Sequence, residues 1–130
     1  MKKKTFTCGF DAALAVVGGK WKMLILWALH CDGPLRFGEL RRAVDGIGER
    51  VLINQLKEME ASRLVHREEY RQVPPKVEYS LTEFGASLLD ALMPLGAWGE
   101  ANMARIVSLA AAPAPAPAPA DRRPTSLPGG

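Results

Sequence analysis

The 130-residue sequence predicts a mostly helical α+β fold in which short helices precede a single β-hairpin. Residues 76–81 alternate polar and apolar side chains, which is the period-two pattern of a half-buried strand. Pro74 and Pro75 precede this strand and suit the tip of an exposed hairpin. Upstream, two short amphipathic segments are joined by the glycine-containing turn 45–48. Helix, glycine turn, helix and hairpin form the layout of a winged helix-turn-helix with a two-stranded wing.

The composition is typical of one small globular domain. Apolar residues make up 48% of the chain, and the net charge of +3 is compatible with nucleic acid without requiring it. Residues 1–4 resemble the start of a secretory signal, but no apolar segment follows them before Cys8. The apolar stretch 21–29 contains Lys22 and is far shorter than the roughly 20 residues of a membrane span. We therefore expect a soluble, cytoplasmic protein.

The cysteine and histidine residues do not indicate a metal or cofactor site. Cys8 and Cys31 cannot form a disulfide framework and do not make a Cys-x-x-Cys pair. His30 and His66 are far from each other in the sequence. We expect no metal and no cofactor.

The first two helices are predicted from caps and apolar content. Asp11 is placed to cap a short helix that runs to about Val17, and two glycines, 18 and 19, end it. A second helix covers residues 20–31 and is apolar nearly all round, which predicts that neighbouring elements enclose it.

The next two helices form the predicted helix-turn-helix. The third covers residues 36–44 and the fourth residues 49–62. Apolar residues recur at spacings of three and four on one face of each helix: Phe37, Leu40 and Val44 on the third, and Leu52, Leu56 and Met59 on the fourth.

The hairpin and a long last helix complete the domain. Strands are predicted at 64–70 and 76–81, with the tip at 71–75. Thr82 is a suitable N-cap for the last helix, and Pro94 is expected to kink or divide it. We therefore divide the chain into a flexible basic arm (1–7), a winged helix-turn-helix domain with its dimerisation helices (8–109) and a disordered Ala/Pro-rich tail (110–130).

The fourth helix carries side chains suited to a DNA major groove. Arg50, Asn54 and Lys57 lie roughly opposite the inner stripe, and Ile53 and Gln55 flank them. Arginine grips guanine with two hydrogen bonds, asparagine or glutamine can grip adenine, isoleucine can touch a thymine methyl, and lysine suits a phosphate. The alternative is an ordinary solvated helix face.

Basic residues around this helix favour the DNA interpretation. Arg36, Arg41 and Arg42 precede it, and Arg71 at the wing tip is placed to reach an adjacent minor groove or its phosphates. The alternative for Arg71 is that it only keeps an exposed hairpin soluble. The predicted DNA-contacting set is Arg36, Arg41, Arg50, Ile53, Asn54, Gln55, Lys57, Arg71 and Lys76.

Several short motifs occur in a specific order along residues 8–106. They are Cys8 with Ala13-Leu14, Gly18-Gly19-Lys20-Trp21, Arg36-Phe37-Gly38-Glu39-Leu40-Arg41-Arg42, Gly46-Ile47, Val51-Leu52, Leu56-Lys57-Glu58-Met59-Glu60, Leu64-Val65, Val73-Pro74-Pro75-Lys76-Val77-Glu78-Tyr79, Leu81-Thr82-Glu83 and Trp98-Gly99. With these motifs the chain resembles the HxlR-type family of bacterial winged helix-turn-helix transcriptional regulators, which are MarR-like. Gly48 stands where family members usually have Ser or Thr, so the helix cap is weaker here. Ile53 and Gln55 replace a polar and a basic residue that are common in the family, so the operator sequence does not carry over.

The resemblance implies a homodimer that binds a palindromic operator in double-stranded DNA through N- and C-terminal dimerisation helices. The sequence agrees in one respect, because its tryptophans and long last helix supply more apolar surface than a small DNA-reading core needs. The alternative is a monomer whose last helix folds back on its own core. The predicted interface residues are Trp21, Leu88, Leu92, Leu95, Trp98 and Met103.

Some members of that family resemble redox or electrophile sensors, with a cysteine that matches Cys8. The nearby lysines at 2–4 and a helix start favour the thiolate of Cys8. The alternative is that Cys8 is a small apolar residue buried at the dimer contact. Cys31 is interpreted as inert packing.

Two other classes of function, a protein-interaction adaptor and an enzyme, are less compatible with the sequence. A winged-helix adaptor for proteins, without specific DNA binding, would not need a polar, basic outward face on the fourth helix. An enzyme has no support, since neither cysteine has an identifiable nearby base and no phosphate loop is present.

Overall fold

The computed structural model describes residues 5–113, and it confirms the mostly helical α+β class with a two-stranded wing. The elements are α1 (Gly9–Val17), α2 (Lys20–Asp32), α3 (Phe37–Ala43), α4 (Glu49–Ala61), β1 (Val65–Tyr70), β2 (Lys76–Leu81), α5 (Glu83–Ala101) and α6 (Met103–Ala111). The chain divides into two compact units after Gly96. The predicted arm falls largely, and the tail mostly, outside the described residues.

The core of the first unit joins α2, α3, α4 and the residues that lead into the wing. Its largest fully buried side chains are Ile25, Leu26, Leu40, Leu52, Met59 and Leu64. The prediction that neighbours enclose α2 on all sides was wrong. Leu24 is 41% exposed and Trp27 is 46% exposed, because the packed neighbours of α2 cover only part of its circumference.

The first helix starts earlier than the sequence suggested. The α1 helix begins at Gly9 with Cys8 at the N-cap position, so Asp11 lies inside the first turn. Asp11 Oδ2 still accepts a hydrogen bond from the backbone N–H of Thr7 at 3.0 Å. Gly18, at φ 75°, ends the helix as predicted, since a left-handed residue there costs glycine little.

The wing is an antiparallel pair in which Val65 faces Leu81 and Tyr70 faces Lys76. Its base is bonded to the segment before α3. The backbone N–H of Tyr79 donates to the Leu35 carbonyl at 2.8 Å, and Leu35 donates back at 3.0 Å.

The β2 strand is half-buried along its whole length, since its polar and its apolar residues are all partly covered. The polar face is covered by its own side chains. Lys76 lies 3.5 Å from Glu78 and sits over the ring of Tyr70 at 4.9 Å.

Thr82 is the N-cap of α5, as predicted. Its Oγ1 accepts a hydrogen bond from the Gly85 N–H at 2.9 Å and donates to the Arg63 carbonyl at 2.5 Å. Gly85 is buried against the carbonyl of Leu64, and a Cβ at this glycine would collide with that oxygen. The start of α5 is therefore locked onto the segment between α4 and the wing.

Of the two alternatives predicted for Pro94, division of the last helix was wrong. The α5 helix contains Pro94 and continues to Ala101, and the helical run breaks at Asn102 instead. The Asn102 side-chain amide donates to the Trp98 carbonyl at 2.9 Å, which is the kind of local bond by which asparagine competes with regular helix. The α6 helix ends at Ala111, so the first two residues of the predicted tail, 110 and 111, are helical.

Within residues 5–113, no single helix is long and apolar enough to cross a bilayer; α1 and α2 reach that length only as a pair bent by 74°. The same residues contain no group of three metal-ligating side chains.

Candidate DNA interface

The α4 helix is seated by its apolar stripe. Leu52, Leu56 and Met59 are at most 2% exposed, so the opposite face of the helix points away from the core. The turn before α4 is also fixed, because Ile47 is buried and donates its N–H to the Val44 carbonyl at 3.3 Å. Gly46 adopts φ 84°, a left-handed conformation that glycine tolerates.

The outward face of α4 brings together four of the five α4 residues that were predicted to contact DNA. Arg50, Ile53, Asn54 and Lys57 line one shallow concave surface with Glu49. All of these side chains are exposed. Gln55 is half-buried and does not line this surface, so it lies at the flank where the sequence placed it.

The arginines before α4 are exposed, and the side chain of one of them, Arg41, is engaged by an acidic residue. Arg36 is the N-cap of α3, and its backbone N–H donates to Glu39 Oε1 at 2.8 Å. Arg41 lies 3.6 Å from Glu49, which neutralises part of the acidic charge at the start of α4. Because that ion pair is solvent-exposed, it is weak and can be exchanged for a phosphate.

The wing residues differ in availability. Arg71 is exposed at the tip. Lys76 is half-buried, and its ammonium is held by Glu78 and by the ring of Tyr70. Burial and the nearby Glu78 and Glu68 carboxylates raise the pKa of the Tyr70 phenol.

Sequence reasoning missed Arg67. It lies opposite Tyr79 in the wing and lines a hollow of about 330 Å³ together with Ile53 and Lys57 of α4. Hydrogen bonds to Tyr79 and Glu69 raise the pKa of its guanidinium above the usual value. The sequence could have predicted this position, because residues two apart on a strand share a face and Arg67 therefore lies on the same face as Val65.

A second missed feature fixes α4 to α2. Lys22 is 8% exposed and its Nζ lies 2.7 Å from Glu58 Oε1. The hydrogen bond from Lys22 and its positive charge lower the pKa of the Glu58 carboxyl. The signal was a lysine inside the apolar stretch 21–29, since a buried lysine needs a partner.

The predicted dimer residues fall in both compact units. Trp21, Leu88 and Leu92 are half-buried and pack against the core of the first unit. Leu95 is 54% exposed in that unit. In the second unit, Trp98 is 60% exposed and Met103 is 50% exposed.

Both cysteines are free and exposed. The interpretation of Cys31 as a packed residue was therefore wrong, because it lies on the open side of α2 and lines a cavity there. Cys8 is accessible at the N-cap of α1 in the single chain.

These features define a DNA-binding transcriptional regulator of the winged helix-turn-helix class. Residues 16–107 match the family model described as HxlR-like helix-turn-helix, and the chain belongs to this HxlR-type family. YkvN of Bacillus subtilis (strain 168), an uncharacterized HTH-type transcriptional regulator, is 52% identical over 96 residues, which are 74% of this chain and 80% of YkvN.

Solved structures give the same class. The redox regulator HypR in its reduced form is 46% identical, with a TM-score of 0.71, over 78% of this chain and 99% of that one. Its oxidized form is 49% identical, with a TM-score of 0.68, over 73% and 97%. The family match over residues 16–107 includes α2 to β2, so the similarity extends to the whole winged helix-turn-helix.

Proposed function

We propose that this regulator acts as a homodimer on a palindromic operator in double-stranded DNA, with α4 of each subunit in a major groove. The observation that carries the proposal is the single surface formed by Arg50, Ile53, Asn54 and Lys57 on α4. It combines a guanine-binding side chain, a thymine-methyl contact, an adenine-binding side chain and a phosphate contact. We assign the protein no catalytic activity and place its action in the cytoplasm.

Within the proposed complex, α4 supplies specificity and the flanking cations supply affinity. Arg36 and Arg41 lie before α4 and Arg71 lies at the exposed wing tip, where phosphates flank the groove. Lys76 contributes only if it leaves Glu78, and Gln55 only if it leaves its half-buried position. We therefore rank these two residues below the others of the set.

The proposed dimer is supported by apolar surface that lies open in the single chain. In α1, Phe10 is 82% exposed and Leu14 is 68% exposed. In α6, Val107 is 59% exposed and Leu109 is 65% exposed. Large apolar side chains that are exposed together on one element indicate a protein interface. Covering them with a second subunit places two copies of α4 on one operator.

The proposal is tested by footprinting on the DNA upstream of the protein's own gene. Two recognition helices one duplex turn apart, about 34 Å, require half-sites about ten base pairs centre to centre. We expect protection of both half-sites and loss of binding when one is scrambled. Protection of a single half-site contradicts the dimer, and equal binding to scrambled DNA would favour a protein-interaction adaptor.

We further propose that Cys8 makes the regulator responsive to oxidants. Its exposure at the start of α1, which carries the open apolar residues Phe10 and Leu14, places the thiol beside the proposed interface. Two Cys8 thiols, one from each subunit, would lose two protons and two electrons to diamide and form one interchain disulfide. Such a bond would change the separation of the two α4 helices.

The redox proposal is tested with diamide, non-reducing electrophoresis and mass spectrometry. We expect an interchain disulfide or a Cys8 adduct together with altered operator binding. Cys8→Ser should remove the response, whereas Cys31→Ser is the matched control and should retain it. Unchanged operator binding and no modification at Cys8 after treatment reject the sensor role while leaving the DNA-binding proposal intact.

A further inference from the structure

A cavity of about 320 Å³ opens between the C-terminal half of α2 and the segment that joins α3 to α4. This volume lies at the lower end of the range of about 300–1,000 Å³ that small-molecule sites occupy. The cavity lies within the first compact unit and does not include the reading face of α4.

Part of the lining is apolar. Leu24, Trp27 and Val44 contribute their side chains to it. Leu24 and Trp27 are both more than 40% exposed, although residues of this size and hydrophobicity are usually covered. An apolar body in the cavity would remove this surface from water.

The polar part of the lining is acidic. Asp32 comes from the end of α2 and Asp45 from the segment before α4. Within residues 5–113 neither carboxylate has an ion-pair partner, and none of the described lining residues is basic. Two anions from different elements therefore face one cavity that also contains an indole ring.

We propose that this cavity binds a small hydrophobic cation, which is an amine or quaternary ammonium group attached to an apolar body. The carboxylates of Asp32 and Asp45 attract the positive charge. The Trp27 ring stacks on His30 at a centroid distance of 5.5 Å, and the rest of its surface offers the aromatic contact that such cations prefer. An anionic ligand is disfavoured by the same two carboxylates.

The position of the cavity gives ligand binding a regulatory consequence. Val44 and Asp45 lie in the turn that leads into α4, so a ligand there contacts the segment that sets the position of the reading helix. This consequence rests on the proposed operator binding, whereas the binding site itself does not.

The binding site is tested by calorimetry on the full chain without DNA. The probes are benzyltrimethylammonium, neutral benzyl alcohol and anionic benzenesulfonate, which share one aromatic ring and differ in charge. We expect the cation to bind roughly fivefold or more tightly than the neutral probe, and the anion to bind least. Equal affinity for the three probes, or no binding of the cation at millimolar concentration, overturns the proposal.

The residues are tested by isosteric substitutions that leave the fold intact. We expect the double variant Asp32→Asn, Asp45→Asn to lose roughly three- to tenfold in cation affinity and to retain its affinity for benzyl alcohol. Asp90→Asn, an exposed carboxylate on α5 outside the cavity, is the matched control. If the double variant keeps its full affinity for the cation, the probe binds at another site, and Asp32 and Asp45 do not form the cation site.

The regulatory consequence is tested by measuring operator affinity with the cavity saturated by benzyltrimethylammonium. We expect a change of roughly threefold or more that the double variant abolishes. If the cation binds but the operator affinity is unchanged, ligand binding in the cavity does not influence DNA binding. A protein that binds the cation but no operator at all would instead refute the proposed function and leave the site standing.

Discussion

The ammonium of Lys22 lies 2.7 Å from the carboxylate of Glu58 and links α2 to α4 across the core. The pair is asymmetric, because the Lys22 side chain is 10% exposed and the Glu58 side chain is 59% exposed. Lys22 also lies against Gly18, where a Cβ would meet its Nζ. A single buried lysine therefore contacts the end of α1 and holds α4.

Removal of either partner should have unequal effects on stability. Glu58→Ala leaves the buried ammonium of Lys22 without its partner, and we expect a loss of about 1–2 kcal/mol in the free energy of unfolding. Lys22→Met keeps an apolar stem in the same space and frees Glu58 to water, so its cost should be smaller. Urea unfolding measures both, and a larger loss in Lys22→Met would contradict this account.

The stabilisation by Glu58 should depend on pH in one direction. The folded-state pKa of Glu58 lies below its ordinary value of 4.5, because Lys22 donates a hydrogen bond to the carboxylate and carries a positive charge. The contribution is therefore fully present above pH about 4.5 and is lost as the pH falls through the folded-state pKa. The stability difference between wild type and Glu58→Ala, measured by urea unfolding from pH 7 to pH 3, should shrink over that acid range. A stability difference that stays constant down to pH 3 would show that the ionised Glu58 carboxylate does not stabilise the fold through Lys22.

Two glycines in α5 should respond oppositely to alanine. Gly85→Ala places a methyl group against the Leu64 carbonyl, and we expect a loss of about 2 kcal/mol. Gly96→Ala meets open space and should stabilise the helix by about 0.5–1 kcal/mol. Thermal unfolding at equal protein concentration distinguishes the two, and a neutral Gly85→Ala would show that the backbone relaxes there.

Arg50 and Lys57 should affect operator binding in different ways. We expect Arg50→Ala to weaken specific binding by about 1–3 kcal/mol and to relax the preference for one base pair. Lys57→Ala should weaken binding to all sequences. It should also reduce the slope of log binding constant against log salt concentration by about one. Fluorescence anisotropy at several salt concentrations measures both effects. Arg105→Ala, on α6, is a charge-matched control, and wild-type affinity in Arg50→Ala would remove this residue from the reading set.

Leu95 should contribute to the proposed dimer. It is 54% exposed on α5, and Leu95→Glu would place a charge in the apolar surface, so we expect dissociation to monomers. Ser87→Glu adds the same charge at an exposed position of the same helix and serves as the control. Analytical ultracentrifugation reports the outcome, and a fully dimeric Leu95→Glu would exclude Leu95 from the contact.

The sequence predicted those elements that carry strong local signals. The β2 strand has the predicted bounds, because the proline pair precedes it and the Thr82 cap follows it. The start of α4 was predicted by the glycine turn, and the side chains that share its outward face were predicted by helical spacing. These signals reside in neighbouring residues, and no distant contact overrides them.

Features that depend on tertiary contacts were missed. The exposure of Trp27 depends on which elements pack beside α2, and the partner of Lys22 lies 36 residues away. The break at Asn102 reflects a side-chain bond that competes with the helix, whereas the proline at 94 is accommodated. Helical periodicity alone specifies none of these outcomes.

The two hydrogen bonds between Leu35 and Tyr79 tether the hairpin to the residue that immediately precedes the Arg36 cap of α3. The base of the hairpin is therefore fixed relative to α3 before any DNA is bound. If α4 and the hairpin tip contact DNA as proposed, the protein itself sets the distance between these two contacts. An operator whose local width does not match that distance would then have to deform to be bound.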